Sequence, residues 1–425
     1  MSNLGSSEEQ TRAAATPTAE HEGGPGMVRL GIGLMLINIT TYLAIFAVLN
    51  VLLPAQIATA AGEGGKEAAL GVITTLGAIA AMIAGPVWGA LSDRHTSRLG
   101  RRGAWILAGA AAALVTLNMV GASQTLLIIG LGWVLSQLAV NATLMGFSTV
   151  IPERVPLARR GLMSGVVGIA TGLAITLAAV VGAAFISAPL TGTMTLSVLA
   201  LVGAIAFLVI APEPRTEAAV PAERPAVLSS MLSSLRNSSD FRWTWVGRFL
   251  VVLGYYLLQA RMLYFIQSSL QLDVAAAAGV VAQVAAIGGV TMIAGLVVAA
   301  PLSDKFGRKP FVYGAGVGIA LGLVMMSASS TTTSITIANA VIGLAFGAFM
   351  GVDQALVADV LPNKEDVAKD LGVINLAATI PQMLAPAVGS AILLTSGGSY
   401  SLLLIIGAVI AACSVYATWR IRGVR

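Results

Sequence analysis

The chain has 425 residues, of which 57% are apolar and only 10% carry a charged side chain, with a formal net charge of +5. A soluble protein of this length could not bury so large an apolar fraction, because globular domains are about 45–50% apolar and about 25% charged. The composition therefore excludes a soluble enzyme, a nucleic-acid-binding protein and a disordered scaffold. It indicates a membrane protein with many spanning helices.

Twelve apolar runs follow a polar N-terminal tail. A spanning helix needs about 20 predominantly apolar residues, and none of the runs is long enough to cross a bilayer twice. The tail, residues 1–28, is rich in Ala, Ser, Thr and Glu and is predicted to be disordered. The runs lie at residues 30–53, 69–91, 103–121, 126–151, 161–186, 193–211, 243–268, 274–302, 310–328, 332–358, 371–395 and 400–420.

One long polar segment divides the runs into two sets of six. It covers residues 212–242 and is rich in Pro, Ser and charged residues. The sequence therefore predicts a six-helix bundle over residues 29–211, a cytoplasmic linker over 212–242 and a second six-helix bundle over 243–420. A cytoplasmic tail over 421–425 completes the chain.

Basic residues are distributed very unevenly between the two sides of this topology. Of the 24 Lys and Arg residues, all but three fall in the tails and in the loops on the side of the termini. The exceptions are Lys66 in an opposite loop and Arg248 and Arg261 within the seventh run. Because Lys and Arg collect in cytoplasmic loops, we expect a multi-pass protein of the cell membrane with both termini inside.

Two loop sequences occur twice in the chain. The loop after the second run reads Leu-Ser-Asp-Arg from residue 91 and Gly-Arg-Arg from residue 100, and the loop after the eighth reads Leu-Ser-Asp-Lys from residue 302 and Gly-Arg-Lys from residue 307. Ile-Pro-Glu-Arg at residue 151 is matched by Leu-Pro-Asn-Lys at residue 361, an offset of 210. Such a repeat at matching points of two six-helix sets is typical of a transporter built from two bundles.

These loops resemble the signature of the major facilitator superfamily, and the longer first copy resembles that of the glycoside–pentoside–hexuronide and sucrose-type sugar–cation symporters. The resemblance implies an all-α membrane protein whose twelve helices form two bundles related by a pseudo-two-fold axis. It also implies that the loop residues latch the cytoplasmic faces of the bundles together in the outward-open state. The latch residues would be Gly89, Asp93, Arg94, Gly100, Arg101, Arg102, Asp304, Lys305, Gly307 and Arg308. We expect the nearby Asp359 to join this loop network through Lys364 and Lys369.

Uncharged polar residues form stripes on the first, fourth, seventh and tenth predicted spans. In the superfamily these four helices line the central cavity, so the stripes are candidates for binding a small-molecule substrate. For each Asn or Gln, a hydrogen bond between helices is an equally good interpretation. Together with one arginine, the candidate substrate-binding residues are Asn38, Tyr42, Gln137, Asn141, Tyr256, Gln259, Arg261, Tyr264 and Asn339.

Ionisable residues within the spans are few, and each is costly to place in lipid. Arg261 either binds a carboxylate in the cavity or pairs structurally with carbonyl groups or an acid. Asp353, in the inner third of the tenth span, is the candidate proton carrier, because the interiors of the first six spans contain no Asp or Glu. Arg248, near the inner end of the seventh span, is expected to reach the headgroups along its aliphatic stem.

We therefore predict a secondary active transporter that moves a small polar solute by alternating access, with a sugar or glycoside carried together with a proton as the leading hypothesis. An exporter of drugs or metabolites and an uncoupled facilitator are the alternatives. We expect no enzymatic activity, cofactor or metal, because the single cysteine and the two histidines cannot build a metal cluster in the membrane and no catalytic motif is present. The lipid bilayer is the expected partner, and the protein is expected to act as a monomer.

Overall fold

The computed structural model describes residues 25–423 apart from positions 63, 95–96, 98, 101, 214–234, 237, 260 and 361–366. Regular secondary structure in these ranges is entirely helical. Most of the predicted N-terminal tail and most of the predicted linker lie outside the described residues, as do the last two residues of the C-terminal tail.

The helices are numbered by span, and the first and seventh are each in two parts. A π-helical turn, Val48–Leu52, joins α1a and α1b, whereas α7a and α7b meet at an angle of 54°. A one-turn helix, Val150–Arg154, follows α4. The spans are α1a (Pro25–Ala47), α1b (Leu53–Ala61), α2 (Lys66–Arg94), α3 (Gly103–Ala122), α4 (Leu126–Ser148), α5 (Leu157–Ala184), α6 (Pro189–Ile210), α7a (Ser239–Gln259), α7b (Met262–Leu270), α8 (Val274–Phe306), α9 (Lys309–Ser327), α10 (Thr332–Val360), α11 (Val367–Thr395) and α12 (Tyr400–Trp419).

Eleven of these segments are long and apolar enough to cross a membrane, and the bent pair α7a–α7b would make a twelfth. The predicted helical class is confirmed, but several predicted runs were too short. The first helix continues to Ala61 rather than ending at residue 53, and α2 begins at Lys66 rather than at residue 69. The physical reason is that polar and charged residues in the end turns of a helix do not register as part of an apolar run.

Helix packing repeats between the two halves of the chain. In the first half the main pairs are α1–α5, α1–α6, α2–α4, α3–α4 and α3–α6. Adding six to each number gives the main pairs of the second half, α7–α11, α7–α12, α8–α10, α9–α10 and α9–α12. The two main contacts between the halves, α2–α11 and α5–α8, are also equivalent under this shift. The repeated loop sequences thus correspond to repeated packing.

Glycine residues allow α8 and α10 to pack backbone against backbone. A Cβ on Gly347 of α10 would overlap the carbonyl oxygen of Met292 on α8, and a Cβ on Gly295 of α8 would overlap the carbonyl oxygen of Leu344. Small residues at such positions are the usual way for membrane helices to approach closely, since lipid supplies no hydrophobic force between them. The α8–α10 contact therefore depends on these glycines.

We expect Gly347→Ala to lower the melting temperature of the purified protein, because the added methyl group forces the two backbones apart at a cost of about 1–3 kcal/mol. Gly314→Ala on α9 is the matched control: no atom lies within 4 Å of its new methyl group, and alanine favours the helix. Thermal unfolding of the two variants in detergent tests the difference. Equal melting temperatures would show that the close approach does not contribute to stability.

Candidate functional site

A cavity of about 380 Å³ lies between the two halves of the protein. It is lined by α1, α2, α4 and α5 of the first half and by α7 and α11 of the second. The described lining contains no charged side chain. About half of the lining residues carry an aromatic ring or a carboxamide group. They are Tyr42, Phe46, Trp133, Tyr255 and Tyr256 with Asn50, Gln137, Asn141, Gln259 and Gln382.

Four of these carboxamides are free to bind a ligand. The side chains of Asn50, Gln137, Gln259 and Gln382 form no hydrogen bond with any residue that the structure describes, whereas Asn141 donates to the Gln137 carbonyl oxygen at 2.8 Å. A polar group that leaves water without finding a partner costs about 1–3 kcal/mol. Unpaired amides that face a cavity therefore indicate a site for a hydrogen-bonding ligand or for water.

A smaller pocket of about 70 Å³ extends from the cavity between α5, α7a, α8 and α10. Asn50, Ile175, Tyr255 and Gln259 line both spaces, which places them at the junction. Tyr255 is held there by stacking on Phe346, with ring centroids 3.8 Å apart and planes inclined by 5°. The junction thus combines a fixed aromatic face with two unpaired amides.

Polar contacts close the cavity at the face opposite the termini. Glu67 at the start of α2 accepts a hydrogen bond from the hydroxyl group of Tyr400 and lies 3.3 Å (Oε2 to Nε) from Arg261. Arg261 is fully buried and also donates to the Pro386 carbonyl oxygen and the Ser390 hydroxyl. Glu67 belongs to the first half, whereas Arg261, Tyr400, Pro386 and Ser390 belong to the second, so this cluster joins the two halves.

A second contact between the halves lies at the same face. The hydroxyl group of Tyr264 on α7b donates to the carbonyl oxygen of Pro54 on α1b at 2.6 Å, and the ammonium group of Lys66 lies 5.0 Å from the centre of the Tyr264 ring. A third contact, from the Ser390 hydroxyl group to the Glu67 carbonyl oxygen at 3.0 Å, also joins the halves at this face. The structure is therefore closed opposite the termini.

The structure brings most of the predicted substrate-binding residues to the two spaces. Tyr42, Gln137, Asn141, Tyr256 and Gln259 line the cavity, and Asn339 lines the smaller pocket, where its Nδ2 donates to the Val284 carbonyl oxygen at 3.0 Å. The sequence stripes on α1, α4, α7 and α10 thus identify a large part of the lining.

Three predicted residues lie elsewhere. Asn38 is buried and accepts a hydrogen bond from Thr171 on α5 at 2.8 Å, which is the alternative interpretation of a polar residue within a span. Arg261 pairs with Glu67, so of its two interpretations the structure favours the structural one over the cavity ligand. Tyr264 takes part in the contacts that close the face opposite the termini.

Two residues of the site could not be recognised from the sequence. Glu67 was missed because it stands outside the apolar run, and Asn50 was missed because a single amide in an apolar stretch forms no stripe.

Asp353 on α10 forms an ion pair with Arg248 on α7a, with 2.7 Å between Oδ2 and Nη1. Both side chains are at least nine-tenths buried, and neither lines the cavity. The expectation that Arg248 reaches the headgroups is wrong. The side chain of Arg248 does not need to reach the headgroups, because the buried carboxylate of Asp353 on the neighbouring helix compensates the guanidinium charge within the second half.

The loop residues expected to form a latch lie at the face of the termini, and the described pairs stay within one half. Arg102 forms an ion pair with Glu153 at 2.8 Å, and Arg308 forms one with Asp359 at 2.7 Å. Asp359 therefore contacts Arg308, while Lys364 and the side chain of Lys369 lie outside the described residues.

The remaining latch candidates differ in their surroundings. Gly100 and Gly307 share a left-handed backbone with φ near +85° and +88°, which suits glycine at the equivalent turn of both loops. Gly89 is buried, Lys305 is exposed, and Asp304 lies 3.9 Å from Arg308. Arg101 and the side chains of Asp93 and Arg94 lie outside the described residues.

We expect Glu67→Gln to favour opening of the face opposite the termini, because it leaves the buried Arg261 without its acid. A loss of about 1–3 kcal/mol in the coupling between the halves corresponds to a population shift of roughly 5- to 150-fold. Spin labels are attached at Gln124 and Ser330, which are exposed positions at this face in opposite halves. The distance between the labels, measured by double electron–electron resonance, should become longer. The single native cysteine, Cys413, is first replaced by serine.

Asp273→Asn is the control for this experiment. Asp273 is an exposed acid at the same face that caps the start of α8 by accepting from the Ala276 amide, a role that asparagine can fill. Its distance distribution should match that of the parent protein. An unchanged distribution in Glu67→Gln would contradict the role given to the ion pair.

Comparisons with known proteins agree with this architecture. The family model described as Major Facilitator Superfamily matches residues 34–295 and 265–424, while no curated protein sequence matches the chain significantly. Among solved structures, the nucleoside transporter NupG superposes with a TM-score of 0.75 at 14% identity, covering 92% of this chain and 99% of that one. The inward-facing, unoccupied bacterial homologue of the human lysosomal transporter Spinster superposes with a TM-score of 0.69 at 15% identity, covering 94% and 98%. The peptide transporter POT in complex with sulfate also gives 0.69, at 12% identity and with coverage of 98% and 99%. The chain belongs to the Major Facilitator Superfamily.

Proposed function

We propose that this protein is a secondary active transporter that moves a small uncharged solute, a sugar or glycoside, across the cell membrane by alternating access. The observation that carries the proposal is the cavity between the two halves, which is closed at one face and lined by unpaired amides and aromatic rings. The basic loops at the face of the termini support a cytoplasmic location of that face under the positive-inside rule. The closed face then lies outside.

The lining supports an uncharged solute over an ion. A charged group in a dry cavity needs an opposite charge nearby, and the described lining offers none because Arg261 is already paired with Glu67. Carboxamides can both donate to and accept from hydroxyl groups, while aromatic rings such as Trp133 can cover the apolar face of a sugar ring. These properties together favour a polar ring without net charge.

Uptake into proteoliposomes tests this function. We expect saturable uptake of one or more neutral sugars, glycosides or nucleosides, and no competition by the corresponding sugar phosphates, because the lining cannot compensate a phosphate charge. Protein-free liposomes are the control. Selective uptake of a charged solute would contradict the proposal. Net transport only from the cytoplasmic face to the outer face would support the exporter alternative.

Proton coupling is the second part of the proposal, with Asp353 as the proton carrier. Asp353 is 2% exposed and its carboxylate is held by Arg248, so a proton on Asp353 would remove the partner of a buried arginine. Such a change at the contact between α7a and α10 links the charge state of the second half to its helix packing.

We expect Asp353→Asn to abolish uphill uptake driven by an inwardly directed proton gradient, because asparagine cannot carry the proton. Counterflow exchange of the same solute needs no net proton movement and should persist, which also shows that the variant is folded. Both rates are measured in the same proteoliposome preparation. Unchanged uphill uptake would remove Asp353 from the coupling, whereas a wild-type protein that shows counterflow but no uphill uptake would support the uncoupled facilitator.

A further inference from the structure

The breaks in α1 and α7 lie at equivalent places in the two halves. The second part of the first helix begins at Leu53 and that of the seventh at Met262, 209 residues later. This offset agrees with the 210 residues that separate the repeated loop sequences. Asn50 and Gln259 each stand three residues before the start of the second part, so the same offset relates them.

These two amides are also alike in their surroundings. Both line the cavity and the smaller pocket, and both are half-buried. Neither side chain has a hydrogen-bond partner among the described residues. Asn50 lies in the π-helical turn, and Gln259 is the last residue of α7a before the 54° bend. Interruptions of this kind are frequent at functional sites, because they turn side chains out of the regular helical register.

We propose that Asn50 and Gln259 form a two-sided amide clamp, one arm from each half, that binds an adjacent hydrogen-bond donor and acceptor on the edge of an uncharged ring. A carboxamide offers one acceptor and two donors in a plane, which matches two neighbouring hydroxyl groups of a sugar or the edge of a nucleobase. The clamp rests on the proposed function, since it specifies how the cavity recognises its solute.

The surroundings of the clamp define the rest of the ligand. Tyr255, fixed on Phe346, lines the same junction and offers a flat surface for the ring. The smaller pocket beyond the junction has about 70 Å³ of space, enough for a few water molecules at roughly 10–15 Å³ each or for one short substituent of the ring. The ligand class is therefore a neutral ring with a polar edge and a small side group.

A chemical double-mutant cycle tests the clamp. Binding of tritiated sucrose and uridine to the purified protein is measured for the wild type, Asn50→Leu and Gln259→Leu, with competition by a deoxy sugar or an N-methylated base that lacks one edge group. We expect each variant to bind the parent ligand about tenfold more weakly, the value of one hydrogen bond. The wild type should bind the analogue tenfold more weakly than the parent ligand. The variant that has lost the matching amide should bind the analogue and the parent ligand with equal affinity.

Gln283→Leu is the matched control, because Gln283 lies on a pocket helix, α8, but is exposed and lines neither space. A second pair of variants leaves the amides intact: Ala285→Leu fills the smaller pocket, whereas Ala286→Leu on the same helix does not line it. We expect only Ala285→Leu to weaken binding.

Each outcome decides between the two proposals. Coupled losses in the cycle support the clamp, and the ligand that shows them identifies a sugar edge or a base edge. Tight binding by the wild type with unchanged binding by both leucine variants overturns the clamp and leaves the proposed function intact. Equal penalties for the analogue in all variants also overturn it. A wild type that binds only charged solutes overturns the proposed function and the clamp together.

Discussion

The charge of Arg261 constrains the rest of the structure. Its side chain is fully buried, and a guanidinium group in such a place needs an acid and further acceptors nearby. Because the acid, Glu67, comes from the other half of the chain, satisfying the charge requires the two halves to meet at the face opposite the termini. The cavity is closed there as a consequence.

A comparison of the two buried ion pairs in the spans shows why their location matters. Arg248 and Asp353 both belong to the second half and can move together as one body. Arg261 and Glu67 belong to different halves, so their contact must break whenever the opposite face opens. The first pair therefore places no constraint on the relative position of the halves, whereas the second pair favours the arrangement in which this face is closed.

Sequence reasoning was most successful where the property is a sum or a repeat over many residues. Composition gave the class, and the repeated loops anticipated the repeated helix packing. Stripes of polar residues located Gln137, Asn141, Tyr256 and Gln259, because a face of a helix follows from spacing alone. Individual partners could not be predicted in this way. Position along a helix gives a depth but not the neighbouring helix, so the pairing of Arg248 with Asp353 and of Arg261 with Glu67 needed three-dimensional packing.

The uncharged lining of the cavity has an electrical consequence. The membrane potential acts only on charge that moves across it, at about 2.3 kcal/mol per charge for each 100 mV. The described lining carries no charge, and Arg248 and Asp353 cancel each other. Under the proposed coupling, reorientation around a neutral solute would move no charge except that of the proton, and the potential would act on the cycle only through this proton.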